Sequence, residues 1–396
     1  MNYYEEFPML NKKIIYFDNA ATTFKPKSVI NSLIDYNVNF TANAHRGDYS
    51  ISFKVDDEID KTRESVKKFI NAKRKEEIIF TMNTTDSLNM IVDSYFSHYL
   101  KEGDEVLLTK AEHASNILPW TMLALKKKIK VKFIPLDKDN KLNFENLINL
   151  TTNKTKVISL AYITNVIGDK RDIKKITKFA HENNILVVVD GAQSVPHIKT
   201  DVQELDCDFL AFSAHKMCGP TGVGVLYGKY ELLEKMIPNK LGGGMNEYYD
   251  EKELKLVSIP FRFEAGTPNI NGIIAFRHAI EFLENIGLTN IEHSEKYLRK
   301  YLIKELESIP YINIYNKESD SAIVLIKATN MSSSDLGLYL NEKGICTRSG
   351  THCVKMLKDE SEFEDTVRIS LYFYNTYEEI DYLIYVLKDK ENLYKF

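Results

Sequence analysis

Between residues 76 and 228 the chain repeats one pattern, a short apolar run followed by a stretch with helical spacing, and nothing else in it restricts the possible folds so strongly. The apolar runs fall at 78–81, 106–109, 131–134, 157–160, 185–189, 209–212 and 223–226, and the first is followed by a helical pattern over 84–98. Strands that are apolar along their whole length are buried on both faces, and a helix between two strands returns the chain so that they run parallel. The pattern predicts an α/β fold, a mainly parallel sheet with helices on both faces. Ligands of such sheets bind at the carboxyl ends of the strands, so the residues that follow each apolar run are the first candidates for function.

After Gly242-Gly243-Gly244 and Gly266-Thr267-Pro268, a helix around 272–284 leads into a different texture. Antiparallel-looking strands at 322–326 and 366–370 and a final amphipathic helix from Tyr377 predict a smaller α+β domain, with the boundary near 284–288. A chain of 396 residues with 44% hydrophobic content is long enough for two such domains. Its net charge of −4 gives no general attraction to phosphate backbones, so nucleic acid is not an expected partner. No apolar run approaches the roughly 18 residues of a membrane span, and the start Met1-Asn2-Tyr3-Tyr4-Glu5-Glu6 lacks the basic and apolar regions of a signal peptide. No membrane is expected, and the expected compartment is the cytoplasm. Cys207, Cys218, Cys346 and Cys353 are too few for a disulfide framework and lack the paired spacing of a zinc site, so reduced thiols and no metal are expected.

Several residues stand where chemistry is expected. Asp190 ends a very apolar strand, and a carboxylate buried there needs a cationic partner such as a protonated pyridine nitrogen. Taken alone, such an aspartate more often caps the next turn. Lys216, in Ser213-Ala214-His215-Lys216 after the strand at 209–212, changes that reading. An aldehyde cofactor with a phosphate tail would use the Lys216 amine for an imine, Asp190 for its ring nitrogen, and Ser213 and His215 for its phosphate. Asn83-Thr84-Thr85-Asp86 opens a helix after a strand, a ready phosphate site and equally a plain N-cap. His113 begins a helix at the same edge and could stack on a flat ring and move protons as a catalytic group, while Asn165 and Gln193 follow strands and could bond a ring oxygen. Arginine is scarce, nine against 43 lysines, yet Arg46, Arg348 and Arg368 fall in these segments, where a guanidinium suits bidentate carboxylate binding. Cys353, in Arg348-Ser349-Gly350-Thr351-His352-Cys353, has polar neighbours that favour an accessible thiol over a buried one.

Together these segments resemble the pyridoxal-phosphate enzymes of aminotransferase class V, and within them the Suf-type, group II cysteine desulfurases. The resemblance runs through Tyr16-Phe17-Asp18-Asn19-Ala20-Ala21, His45-Arg46-Gly47, Asn83-Thr84-Thr85, Glu112-His113, Thr164-Asn165, Asp190-Gly191-Ala192-Gln193, Ser213 to Lys216, Phe263 to Pro268, Arg348 to Cys353, and Arg368. It implies PLP fold type I, with an N-terminal arm over 1–12, a large cofactor-binding domain over 13–285 built on a mostly parallel seven-stranded sheet, and a small α+β domain over 286–396 that carries the catalytic cysteine. It implies pyridoxal 5'-phosphate as cofactor, with Lys216 as Schiff-base lysine, Asp190 on the pyridine nitrogen, Gln193 on the ring oxygen and His113 stacked on the ring. Thr84, Thr85, Ser213 and His215 then hold the phosphate, with Thr267 supplied by the second subunit of a homodimer. Asn165 and Arg368 take the substrate carboxylate, with Ala20, His45, Arg46 and Arg348 lining that site.

The implied reaction converts L-cysteine to L-alanine and leaves sulfur on Cys353 as a persulfide. A Suf-type carrier protein then collects it for iron–sulfur cluster or other cofactor assembly. A selenocysteine lyase or another class V lyase or transaminase is the alternative. Two positions depart from the family pattern, Thr351 for the first of two histidines before the cysteine and Val354 for alanine. The acidic run at 359–365 is either a guide for a basic carrier or a solvated loop.

Overall fold

The computed structural model describes residues 3–12, 14–44, 47–319, 321–359 and 365–396. A short strand, β1 (Ile15–Tyr16), precedes the seven strands of the main sheet: β2 (Ile78–Thr81), β3 (Glu105–Leu108), β4 (Lys130–Phe133), β5 (Thr155–Ala161), β6 (Leu186–Asp190), β7 (Phe209–Ser213) and β8 (Gly224–Gly228). Their order is β2-β8-β7-β6-β5-β3-β4. Neighbours from β7 to β4 pair in parallel, and β8 runs antiparallel to both β7 and β2. The sheet is thus mixed but mostly parallel.

Its burial follows from the strand period of two. Val187, Val189, Leu210 and Phe212 pack into the core on one face, while Val188, Phe209, Ala211 and Leu226 pack into a second core on the other. Because both faces are covered, the polar ends of β5, β6 and β7 are confined to the carboxyl edge. The helical pattern at 84–98 is one winding run in three parts, an α-helix over Thr84–Ile91, a π-helical turn over Val92–Phe96 and a last turn over Ser97–Tyr99. The widened turn leaves the Ser94 carbonyl to accept from the Ile237 backbone N–H at 2.9 Å.

A hairpin of β9 (Asn246–Tyr249) and β10 (Leu254–Leu256) follows the main sheet. The helix Ile270–Ile286 ends at Gly287, whose φ of 85° turns the chain into the next helix, Leu288–Leu306. Then come β11 (Ile312–Ile314), β12 (Ile323–Ala328), β13 (Ile345–Cys346), β14 (Arg348–Gly350) and β15 (Thr366–Ser370). Four of them form an antiparallel sheet in the order β11-β12-β15-β14. Helices Leu288–Leu306, Ser333–Glu342 and Tyr377–Lys388 contribute Leu302, Leu340 and Leu383 to the core of this unit. Phe17 is buried in the same core, and β1 pairs in parallel with β13, so the first strand of the chain is built into its last unit. Among the described residues, no helix is long and apolar enough to cross a membrane.

Candidate active site

A cavity of about 270 Å³ opens where the carboxyl edge of the main sheet meets β14 and β15. Its floor is Asp190 and Lys216. Asp190 is 4% exposed, and its Oδ1 accepts from the Ala192 backbone N–H at 2.9 Å. Burial pushes its carboxyl up to about 6, against the opposing effect of the Lys216 charge. Lys216 ends the turn Ala214–Lys216, and burial pulls its amine down to about 8. That turn is held from the N-terminal segment. The Thr23 backbone N–H and Thr22 Oγ1 both donate to the His215 carbonyl at 3.0 Å, and Thr23 Oγ1 accepts from the Cys218 N–H at 2.8 Å. The His215 imidazole is pulled down to about 4, first by burial and then by the charges of Lys216 and Lys25.

One end of the cavity gathers hydroxyls at the N-terminus of the helix Thr84–Ile91, which Asn83 caps through its side chain to the Asp86 N–H. Ser213 Oγ accepts from the Thr84 N–H at 2.8 Å and lies 2.6 Å from Thr84 Oγ1, and Thr85 Oγ1 lies 2.7 Å from Ser115 Oγ. The close approach depends on Gly224, where a Cβ would stand 2.5 Å from Asn83 Cα. His113 caps the helix Ala114–Lys127, with Nδ1 accepting from the Ser115 N–H. Burial, with Lys216, Arg348 and Arg368 adding to it, pulls the His113 imidazole down to about 4, so the ring is neutral near pH 7.

Behind His113 lies a group that sequence reading did not assemble. Glu112 is fully buried, and its carboxylate accepts from Thr109, Asn116, the Ala161 backbone N–H and the Arg171 guanidinium, which also pairs with Asp169. Arg171 is 59 residues further along, and only the sheet brings the two together. Arg171→Ala should lower stability by about 3–5 kcal/mol, because it strands a buried carboxylate. Chemical denaturation reads that loss, and a change under about 1 kcal/mol would refute the pairing as a structural anchor.

On the opposite wall Arg368 projects from β15 and is 2% exposed. It donates to Asp18 Oδ1 at 2.9 Å and to the Asn165 carbonyl at 3.1 Å, and its Nε has no partner among the described residues. Asn165 in turn donates through Nδ2 to the His352 carbonyl at 2.9 Å. Gln193 Nε2 donates to the Ala20 carbonyl at 2.8 Å. Cys353 is exposed at the cavity mouth. Its carbonyl accepts from the Ala114 N–H at 3.0 Å, one residue from His113, and the Arg348 guanidinium donates to its Sγ at 3.6 Å. His352 and Cys353 hold left-handed backbone, φ 52° and 63°, which costs roughly 1–3 kcal/mol at each non-glycine residue. The hydrogen bonds to both carbonyls, and the one between His352 Nε2 and Thr366 Oγ1, hold them in it.

Ala20, Thr84, Thr85, His113, Asn165, Asp190, Gln193, Ser213, His215, Lys216, Arg348 and Arg368 thus line one cavity, with Cys353 at its edge. His352, absent from the expected set, lines it too; it is buried and pulled down to about 3. Thr267 lies in an exposed loop and does not line the cavity of its own chain. His45, Arg46 and residues 360–364 of the acidic run lie outside the described residues. The donor set fits an aromatic aldehyde with a phosphate tail. Asp190 has no ion-pair partner among the described residues and suits a ring N–H, the Lys216 amine is depressed, and the hydroxyls at the helix N-terminus suit an anion.

Known proteins are similar to this chain along nearly their whole length. A Borreliella burgdorferi protein named probable cysteine desulfurase is 43% identical over 399 residues, covering 97% of this chain and 94% of its own. One of the same name from Halalkalibacterium halodurans is 40% identical over 382 residues, covering 95% of this chain and 94% of its own. An apo structure of a cysteine desulfurase from Thermococcus onnurineus NA1 superposes with a TM-score of 0.94 at 34% identity, covering 99% of this chain and 98% of that one. The family model for aminotransferase class V matches residues 15–383, and the chain belongs to that family, among relatives that carry the name cysteine desulfurase.

Proposed function

We propose that the protein is a pyridoxal-phosphate-dependent cysteine desulfurase that takes sulfur from L-cysteine onto Cys353 and releases L-alanine. The observation that carries this reading is a depressed amine and an accessible thiol at one cavity, with Cys353 close enough to influence both Lys216 and Arg368 electrostatically. In this reading Asp190 pairs with the ring nitrogen, Gln193 faces the ring oxygen, and His113 covers the ring. Thr84, Thr85, Ser213 and His215 hold the phosphate. Pyridoxal phosphate, when bound, supplies a sink for the electron pair released at Cα of the amino acid.

Arg368 and Asn165 orient the substrate carboxylate, with Ala20, His45, Arg46 and Arg348 around it. The Lys216 amine takes the Cα proton. The Cys353 thiolate then bonds to the substrate sulfur as the Cβ–S bond breaks, so the thiol becomes a persulfide and the carbon skeleton leaves as alanine after reprotonation. Arg348, donating to Sγ, stabilises the charge on sulfur.

The sulfur acceptor in this reading is a Suf-type carrier protein in the cytoplasm, and the working form is a homodimer. Two features favour a second copy. Thr267 is exposed away from its own cavity, and the helix that His113 caps leaves Leu118, Met122 and Leu125 more than half exposed along one face. Incubating the purified protein with L-cysteine and a thiol reductant should give alanine and sulfide in equal amounts, with sedimentation reporting a dimer. Alanine without sulfide, or pyruvate and ammonia in its place, would rule the desulfurase out.

A further inference from the structure

His113 Nδ1 receives two contacts from one residue. The Ser115 backbone N–H donates to it at 3.1 Å, and Ser115 Oγ stands 3.0 Å away. Ser115 Oγ is also 2.7 Å from Thr85 Oγ1, so the hydroxyls of Thr85 and Ser115 run in line to the imidazole. A nitrogen that accepts a backbone N–H carries no proton of its own, and in a neutral imidazole the proton then sits on the other nitrogen. We propose that Ser115 is a positioning residue whose hydroxyl and backbone N–H hold His113 as the Nε2–H tautomer, so that the ring offers the cavity a proton donor rather than a basic nitrogen.

The surroundings agree with a neutral ring. The charged groups facing His113 are Lys216 from the turn after β7, Arg348 from β14 and Arg368 from β15, all cationic, with Asp190 beyond Lys216 on the floor and the Cys353 thiol at the mouth. Glu112, its chain neighbour, is turned away into the pair with Arg171. A carboxylate on Nδ1 would favour the charged ring; a hydroxyl and an amide N–H favour the neutral one. Resting on the desulfurase reading, this makes His113 a donor during turnover, suited to protonating a departing or newly formed group rather than to opening the reaction as a base.

The test reads the ring itself. Nitrogen NMR of histidine-labelled protein, with the His113 signals assigned by their loss in His113→Gln, distinguishes the two tautomers and gives the midpoint of protonation. The wild type should show the Nε2–H pattern from neutral to alkaline pH. Ser115→Ala keeps the backbone N–H but removes the hydroxyl, and should move the midpoint upward by about half a unit to one unit, while Ser115→Thr restores it. An Nδ1–H pattern in the wild type, or a midpoint unmoved in Ser115→Ala, overturns the proposal. Because the readout needs no turnover, it stands apart from alanine and sulfide release: a protein inactive on cysteine that still shows the expected tautomer refutes the function and not the role of Ser115.

Discussion

Cys353→Ala keeps the yellow colour of bound pyridoxal phosphate and loses sulfur transfer from L-cysteine by roughly a thousand-fold or more, the scale on which removal of an enzyme nucleophile acts. The colour survives because the thiol is at the mouth, outside the set that faces the cofactor, and its backbone carbonyl goes on anchoring Ala114 whatever the side chain. Single-turnover assays with radiolabelled cysteine read the effect directly, since label remains on the wild-type protein and not on the variant. A variant that retained full activity would move the protein to another class V lyase and end the persulfide mechanism.

Lys216→Ala has an equally large effect of a different kind. Activity should fall by at least roughly a thousand-fold, because in the proposed reaction Lys216 takes the Cα proton, and the cofactor, which that reading attaches through the same amine, should be lost on gel filtration. The wild-type lysine carries a pH signature as well. Only an unprotonated amine condenses with an aldehyde, and burial holds this one near 8, so uptake of pyridoxal phosphate by cofactor-free protein should accelerate as pH rises through about 8. Uptake that accelerates only near pH 10, the range of an ordinary exposed lysine, would contradict the burial argument.

Much of the site was legible because in a parallel sheet a residue's place follows from its distance past an apolar run. Asp190 and Lys216 are separated by 26 positions, yet Asp190 ends β6 and Lys216 ends the turn that follows β7, and the two strands are neighbours, so the residues meet at one sheet edge. The direction of β8 was also available but not read. From Ser213 to Gly224 the connection is too short for a crossover, and only an antiparallel partner is reachable. Contacts that join distant elements were hidden. Arg171 looks like a surface residue in a polar stretch, and nothing local announces that Glu112 waits for it. His352 stands in the sequence only as the second of the two histidine positions before the cysteine, and its contacts with Thr366 and Asn165 come from the fold alone.

The strip from Ile15 to Lys25 has a consequence for how the protein is made. Its strand pairs with Ile345 and Cys346, the Ala20 N–H donates to Ser370 Oγ at 3.0 Å, and Thr22 and Thr23 grip the carbonyl of His215. The segment therefore lacks part of its contacts until residue 370 follows, some 350 residues later. At roughly 5–20 residues per second that is an interval of about 20–70 s. Throughout it the core that buries Phe17 is incomplete, and in its later part, once residue 228 has been made, the main sheet can fold around Lys216. The thiol-bearing sheet closes over the amine last, once Ser370 reaches Ala20.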